Sequence, residues 1–291
     1  MIIPNYNKNT QNDLCCIIIP VYKKNIKKEE IASLKQCCTI LRKYPVIFIT
    51  HKNLDCSVYT NICRDIGASF KYAYFNEKYF SGIFGYNAIM LSKQFYTKFK
   101  NYKYILIYQL DAYVFRDELE YWCNQDYDYI GAPWMSVSSI TEPPTFGNMY
   151  DLEIGNGGFS LRKTETFIRL YSLKIWLLYL FFEIYTLFDR ITELSKKYFF
   201  FRLMRYIVFP FKIFFDRFYL IKQDKKNEDM LWSKVLQSSG KIPTAHIAAH
   251  FSFERYCDYL FEVTDRNLPF GCHAWSEYYP YQLFWKNFIK L

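Results

Sequence analysis

The stretch Tyr102-Lys103-Tyr104-Ile105-Leu106-Ile107-Tyr108-Gln109-Leu110-Asp111-Ala112-Tyr113-Val114-Phe115 decides how this chain is read. Apolar and β-branched residues in that pattern suit a central strand, and the strand stops on an acid. An Asp at a strand end does not serve the core, so something polar meets it there. Open α/β sheets bind ligands at the carboxyl ends of their strands, which makes Asp111 a candidate ligand of a phosphate-bound metal. The alternative is a turn Asp capping a helix that begins near Arg116. The stretch alone leaves both readings open.

Upstream, Cys15 to Val21 is a short apolar run opening into Pro-Val-Tyr-Lys, as a buried parallel strand would. Ile31, Leu34, Cys38 and Leu41 then recur at helical spacing behind Glu29 and Glu30, acids that suit the first turn, and Pro45 stops the helix. Val46 to Thr50 reads as a second strand, Asp55 to Ile66 as a helix, Phe70 to Phe75 as a third strand and Tyr86 to Phe99 as a helix. Alternating strands and helices predict a parallel sheet, so the first 115 residues form an α/β half of nucleotide-binding type. No G-x-G-x-x-G or G-x-x-x-x-G-K-[ST] loop is present, which disfavours dinucleotide and P-loop readings.

With 291 residues, half of them apolar, and no Gly/Pro/Ser-rich linker, the expectation is one domain over 1–291 carrying an insertion. The polar start, Met1 to Leu14, has no apolar core of a signal or anchor, so a cytoplasmic location is expected. Nine cysteines without a C-x-x-C pair argue against a disulfide framework or zinc site and for reduced core residues.

Downstream, Asp117 to Cys123 reads as a short helix and Tyr127 to Trp134 as a strand broken at Gly-Ala-Pro. Gly155-Asn156-Gly157-Gly158 precedes a short apolar strand, Gly158 to Leu161. Glycines there allow close backbone approach to a ligand or a positive φ, and an ordinary hairpin turn is the alternative.

Five segments in order carry a family resemblance: Gln109-Leu110-Asp111, Tyr129 to Trp134, Gly155 to Arg162, Asn227-Glu228-Asp229, and Pro269-Phe270-Gly271-Cys272-His273. Together they resemble a family of glycosyltransferase-like proteins with a GT-A fold, over about Cys15 to Trp275 apart from the insertion. The resemblance implies an α/β fold, a GT-A-like mixed, mostly parallel sheet flanked by helices. It places Asp111 as the second acid of a metal motif, Gly157 and Gly158 in a glycine loop, Glu228 and Asp229 in an x-Glu-Asp motif, and His273 as the C-terminal His. Gln109 stands where the metal motif has its first acid, which removes one charge from the site.

For such an enzyme, Asp111 and His273 are the candidate ligands of Mn²⁺ or Mg²⁺ at the donor diphosphate, with His250 as runner-up. His51 and His246 have no supporting motif. Asp229 is the candidate base, with Glu228 holding the acceptor or orienting the site, and attack from the face opposite the nucleotide implies inversion. Asn227-Glu228-Asp229 also reads as an ordinary helix start, where Asn caps and acids suit the dipole. Tyr22, Lys23, Gln109 and Leu110 join Asp111 as candidates for the nucleotide sugar, Tyr22 facing the base. Trp134, Gly157, Gly158 and Arg162 are candidates for the acceptor or sugar pocket, though Arg162 and Lys23 read first as solvated charges.

Between 173 and 226 the chain carries eleven Lys/Arg against five acids, most of its net charge of +9. Ile175 to Phe188 is shorter than the roughly twenty residues of a membrane span. Arg202, Arg205, Lys212 and Asp216 share one helical face among aromatics, which suits a helical insertion lying on an anionic membrane near a lipid-linked acceptor. A hairpin packed on the core and a dimer interface are the alternatives. Two other functions stay open: a non-catalytic sugar-nucleotide-binding protein, prompted by Gln109, and a basic, aromatic nucleic-acid binder. The acids Asp111, Glu228 and Asp229 speak against nucleic acid.

Overall fold

Four parallel strands carry the N-terminal half: β1 (Cys15–Pro20), β2 (Val46–Thr50), β3 (Phe70–Tyr74) and β4 (Tyr104–Tyr108). In the computed structural model, residues 14–137, 143–147, 152–170, 227–277 and 279–291 are described. The expected insertion, 173–226, and the polar start, 1–13, lie outside the described residues.

Helices α1 (Lys28–Ile40) and α2 (Ser57–Ile66) link the first three strands. Glu30 accepts from the Lys27 N–H at 2.8 Å at the start of α1, and Gly67 ends α2 at φ +71. After the short 3₁₀ turn Glu77–Phe80, the helix expected over 86–99 is two helices, α3 (Gly82–Met90) and α4 (Lys93–Lys98). Ser92 divides them, because its side chain accepts from the Phe95 N–H at 3.2 Å and starts a new helix.

The opening stretch also divides. Only Tyr104–Tyr108 belongs to the main sheet; Gln109 to Ala112 form a turn, and β5 (Tyr113–Val114) joins a second sheet. Helix α5 (Leu119–Asn124) follows, then β6 (Tyr129–Ile130), far shorter than the eight residues read as a strand. Only these two residues find ladder partners on the next strand of the sheet. Pro133 bridges Ile154, and β7 (Met135–Ser136) pairs with β8 (Thr145–Phe146).

Strand β9 (Phe159–Lys163) runs antiparallel between β4 and β6, giving the sheet order β3-β2-β1-β4-β9-β6. The fold is therefore α/β, with a mixed, mostly parallel sheet. Helices α6 (Thr164–Leu170), α7 (Glu228–Ser239) and α8 (Ala245–Phe251) lead to β10 (Ser252–Phe253), helix α9 (Cys257–Val263), β11 (Gly271–Cys272) and helix α10 (Tyr279–Trp285). Strands β10, β11 and β5 form the small second sheet.

Period-two alternation sorts the main sheet into two cores. Ile17, Ile19, Phe48, Leu106, Tyr108, Phe159 and Leu161 pack with Leu34, Cys38 and Tyr59 of α1 and α2. Ile18, Ile47, Ile49, Ile105, Ile107 and Tyr129 pack on the other face with Met90, Phe95, Phe167 and Trp232. All nine cysteines are buried and free. No helix of the described residues is long and apolar enough to cross a membrane.

Phe159 locks the antiparallel strand in place: its ring meets Tyr108, Phe251 and Phe270 at centroid distances of 5.8, 5.2 and 5.5 Å. Truncating it leaves a cavity beneath the second sheet, so Phe159→Ala should lower stability by about 3–5 kcal/mol in urea denaturation.

Candidate functional site

Strand β4 ends at Tyr108, and the turn that follows is pinned from three sides. The Gln109 N–H donates to the Gly158 carbonyl at 2.8 Å, and Ser33 Oγ donates to the Ala112 carbonyl at 2.6 Å. The Trp275 N–H donates to the Asp111 carbonyl at 3.3 Å. Asp111 is thus held at the carboxyl edge of the sheet by main-chain bonds to the glycine loop and the C-terminal segment. It does not cap a helix near Arg116: β5 follows it directly, and α5 starts at Leu119.

His273 reaches the same place through the second sheet. Its N–H donates to the Phe253 carbonyl at 2.9 Å, continuing the β10–β11 ladder by one step. The imidazole Nε2 lies 3.3 Å from Asp111 Oδ1 and 3.4 Å from Gln109 Oε1, while Nδ1 lies 3.1 Å from Glu254 Oε1. Burial pushes this imidazole down, but the Asp111 and Glu254 carboxylates more than offset it and hold it well above the usual histidine range. Burial likewise pushes the Asp111 carboxyl up, and the adjacent His273 holds it below its usual value.

The glycines of the loop make room for the chain's own side chains, and neither Gly157 nor Gly158 takes a positive φ. A Cβ on Gly158 would stand 1.9 Å from His273 Nε2, and one on Gly157 would stand 2.8 Å from Glu228 Oε1. Trp134 covers Gly155 in the same way, at 2.3 Å from a Cβ there. Asn156, buried and unremarked in the sequence beyond its place between glycines, sets the turn: its Oδ1 accepts from the N–H groups of Gly158 and Phe159 at 2.7 and 3.0 Å. Tyr86 of α3 donates to the Gly157 carbonyl at 2.9 Å.

Behind the loop lies a fully buried ion pair. Arg162 donates through Nη2 to Glu228 Oε1 at 2.7 Å and through Nη1 to Glu228 Oε2 at 3.0 Å. Nη1 also reaches the Tyr96 hydroxyl at 2.9 Å, and Nε reaches Ser160 Oγ at 3.1 Å. Arg162 is therefore neither a solvated charge nor a lining residue of an acceptor pocket, because its guanidinium is spent inside the core. Glu228 is occupied at both oxygens for the same reason.

Asp229 follows on the first turn of α7, only partly exposed, its Oδ1 accepting from the Met230 N–H at 2.9 Å. Burial, aided by the nearby Glu228 and Glu254 carboxylates, pushes its carboxyl up to about 7. Asp229, Glu254, His273 and Asp111 thus form one electrostatic neighbourhood.

The remaining sequence candidates divide. Tyr22 is exposed and shares its surroundings with Lys23 and Asp111. Lys23 pairs with Glu30 at 2.7 Å and contributes to holding the Asp111 carboxyl down. Leu110 is buried in the core, which leaves only its backbone to a ligand. His250 is exposed on α8, and His246 packs on Phe146, so neither joins the cluster. His51 packs on Phe80 at the end of β2.

Asp111, Gln109 and His273 bring two oxygen donors and one imidazole nitrogen together at the sheet edge. Asp111 Oδ1 and Gln109 Oε1 stand 3.3 and 3.4 Å from His273 Nε2, close to the roughly 3 Å between neighbouring ligands of an octahedral ion bound at about 2.1 Å. Among the described residues no group of three or more His, Cys, Asp and Glu could hold a metal, so a cation here would need the Gln109 amide as third ligand.

Removing one member of the buried pair strands the other charge. Arg162→Ala should cost about 3–5 kcal/mol by urea denaturation, and the double variant Arg162→Met, Glu228→Leu should recover most of it.

Comparison with known proteins places the chain in a family. A family model described as "Protein of unknown function (DUF5672)" matches residues 69–273, while no curated protein matches. Among solved structures the chain is similar to core-mannan synthase A of Aspergillus fumigatus in its Mn/GDP form, at 17% identity over 46% of this chain and 45% of that one, TM-score 0.33. It is also similar to the glycosyltransferase GlyE of Streptococcus pneumoniae TIGR4, at 10% identity over 96% and 61%, TM-score 0.46. A third similarity, to the bifunctional glycosyltransferase WbbM, has 11% identity over 98% and 50%, TM-score 0.47. The chain spans between 45% and 61% of the length of these solved chains. At such identities and scores the likeness carries neither substrate nor mechanism to this chain. The family model covers well over half of the 291 residues and takes in Asp111, the glycine loop, Arg162, Glu228, Asp229, Glu254 and His273, bearing out the resemblance at the level of the family: the chain belongs to the DUF5672 family.

Proposed function

We propose that the protein is a glycosyltransferase that moves a sugar from a nucleotide-sugar donor to a glycan or lipid-linked acceptor, with inversion at the sugar carbon. The observation that carries this reading is the cluster at the carboxyl edge of the sheet. There a carboxyl raised to about 7, Asp229, shares a neighbourhood with the Asp111–His273–Glu254 chain. A general base works best with a pKa near the operating pH.

In this reading Asp229 takes the proton of the acceptor hydroxyl as that oxygen bonds to the anomeric carbon. The bond from that carbon to the donor phosphate oxygen breaks, and the nucleoside diphosphate leaves with the electron pair. Glu228 is a positioning residue: held by Arg162, it fixes the first turn of α7 and with it Asp229. Trp134, which lies over Gly155, and the glycine loop would close one side of the sugar site. Asp111, His273 and Gln109 would hold Mn²⁺ or Mg²⁺, which when bound supplies positive charge to the diphosphate. Tyr22, exposed beside Lys23 and Asp111, would lie against the base.

Gln109 favours a second reading, a protein that binds a nucleotide sugar without transferring it. The two separate in one experiment: a thermal-shift screen of UDP-, GDP- and CMP-sugars with and without Mn²⁺, followed by product analysis on the stabilising donor. Transfer or hydrolysis of that donor is expected; stabilisation without product from any acceptor pool would favour the binding protein, and no stabilisation by any donor would contradict both.

Asp229→Asn should lower turnover by about 10²–10⁴-fold, while the thermal midpoint at pH 8 holds or rises because the variant removes a carboxylate that burial disfavours. Since only the ionised carboxylate accepts a proton, wild-type kcat/KM should climb with pH and level off above about 7. Unchanged turnover in the variant would remove Asp229 from the chemistry.

A further inference from the structure

A cleft opens beside Asp229 on the side away from His273. Three close approaches to the glycine loop give the direction. A Cβ on Gly158 would meet His273, one on Gly157 would meet Glu228, and one on Gly155 would stand 2.9 Å from Ser233 Oγ. Followed from Gly158 back to Gly155, the loop therefore passes the Asp111–His273 edge, then the first turn of α7, then its second. Asp229 and Ser233 stand four residues apart on α7 and share one face of it. Asp229 thus has the proposed donor edge to one side and Ser233 to the other.

Ser233 lies at the floor of this cleft, which holds about 200 Å³ and has Ile154 and Ile242 as apolar walls. The fold does not use up its polar groups. Ser233 Oγ is buried and has no hydrogen-bond partner among the described residues, a cost that a bound water or ligand hydroxyl offsets. Glu153 accepts from the Ala245 N–H at 3.4 Å through Oε2, and the exposed Thr244 starts α8 without capping it through its side chain. Charge and size narrow the occupant. Among the described lining residues Glu153 is the one charged side chain, and no Lys, Arg or His joins it, so an anion is repelled. The volume is below the roughly 300–1,000 Å³ that encloses a drug-sized ligand, which leaves room for a single ring. The half-buried Trp134 borders the same place, because its ring abuts Gly155 next to Ser233.

We infer that this cleft is the acceptor site and that it takes an uncharged sugar ring of a glycan in preference to a phosphate-bearing group. A neutral polyhydroxylated ring finds a carboxylate acceptor, two hydroxyls and apolar walls there, with Asp229 one turn away along α7 to receive the proton of its attacking hydroxyl. The inference rests on the transferase reading for the role of acceptor, but the seating of a neutral sugar can be measured without any donor.

The test is saturation-transfer NMR on the full-length protein with the methyl glycosides of glucose, galactose, mannose and N-acetylglucosamine, each compared with its phosphorylated counterpart. At least one methyl glycoside should bind, and its phosphorylated form should bind about tenfold more weakly. Thr244→Trp, at an exposed position, should abolish the signal by filling the cleft, and Glu153→Arg should reverse the preference for the uncharged form. Thermal midpoints report whether each variant folds; if Thr244→Trp does not, Glu153→Arg decides. A wild type that prefers the phosphorylated sugar would overturn the inference, as would binding unchanged in the folded variants or no glycoside held at millimolar concentration. Donor turnover by a protein that seats no sugar in the cleft would leave the transferase reading standing and remove this one. Sugars seated as stated with no donor turned over would mean the reverse: a saccharide site in a protein that is not a transferase.

Discussion

The buried ion pair between Arg162 and Glu228 is the interaction on which the site depends. Both side chains are withdrawn from water, a state that would cost several kcal/mol per ion without bidentate geometry and further hydrogen bonds. Here the geometry is bidentate, and Tyr96 and Ser160 take up two remaining donor directions of the guanidinium. Through this pair the antiparallel strand β9 holds the first turn of α7, which carries Asp229. Because Glu228 is bonded at both oxygens, the acid proposed to do the chemistry is its neighbour.

Around that anchor the site is assembled from strand ends. The β4 turn brings Asp111 and Gln109, the glycine loop enters from β9, and the short β10–β11 ladder supplies Glu254 and His273. None of these segments is long, yet each is tied to another by main-chain hydrogen bonds: Gln109 to Gly158, His273 to Phe253, Trp275 to Asp111. The glycines at 157 and 158 are therefore requirements of packing. They let Glu228 and His273 approach the backbone at two adjacent positions.

Much of this was legible in the sequence, and for a definite reason. Buried parallel strands write themselves as apolar runs, and Cys15–Pro20, Val46–Thr50 and Tyr104–Tyr108 are such runs. Helix ends depend on single cap residues, and the apolar pattern over 86–99 runs on through the break at Ser92. Strand length depends on the partner, so the run from Tyr127 to Trp134 promised more ladder than β9 could pair. The site's motifs could be picked out as a set, but the relations among their side chains could not. Arg162 and Glu228 are 66 positions apart, and a charged residue on a short strand looks solvated until its partner is known. Glu254 carries no local mark at all, since its meaning comes from a two-residue ladder that sets it beside His273. Asn156 was the more readable of the missed residues, because an Asn between glycines is suited to bonding its own backbone two residues on.

What makes the cluster more than an acidic edge is the claim that folding poises Asp229 near neutrality while its ion-paired neighbour Glu228 stays fixed. The most direct test is a ¹³C titration of the Asp229 side-chain carboxyl in the free protein. A midpoint near 7 is the expected result, set by burial and by the Glu228 and Glu254 carboxylates. A midpoint near the ordinary Asp value of about 3.9 would contradict it and leave the site without its base.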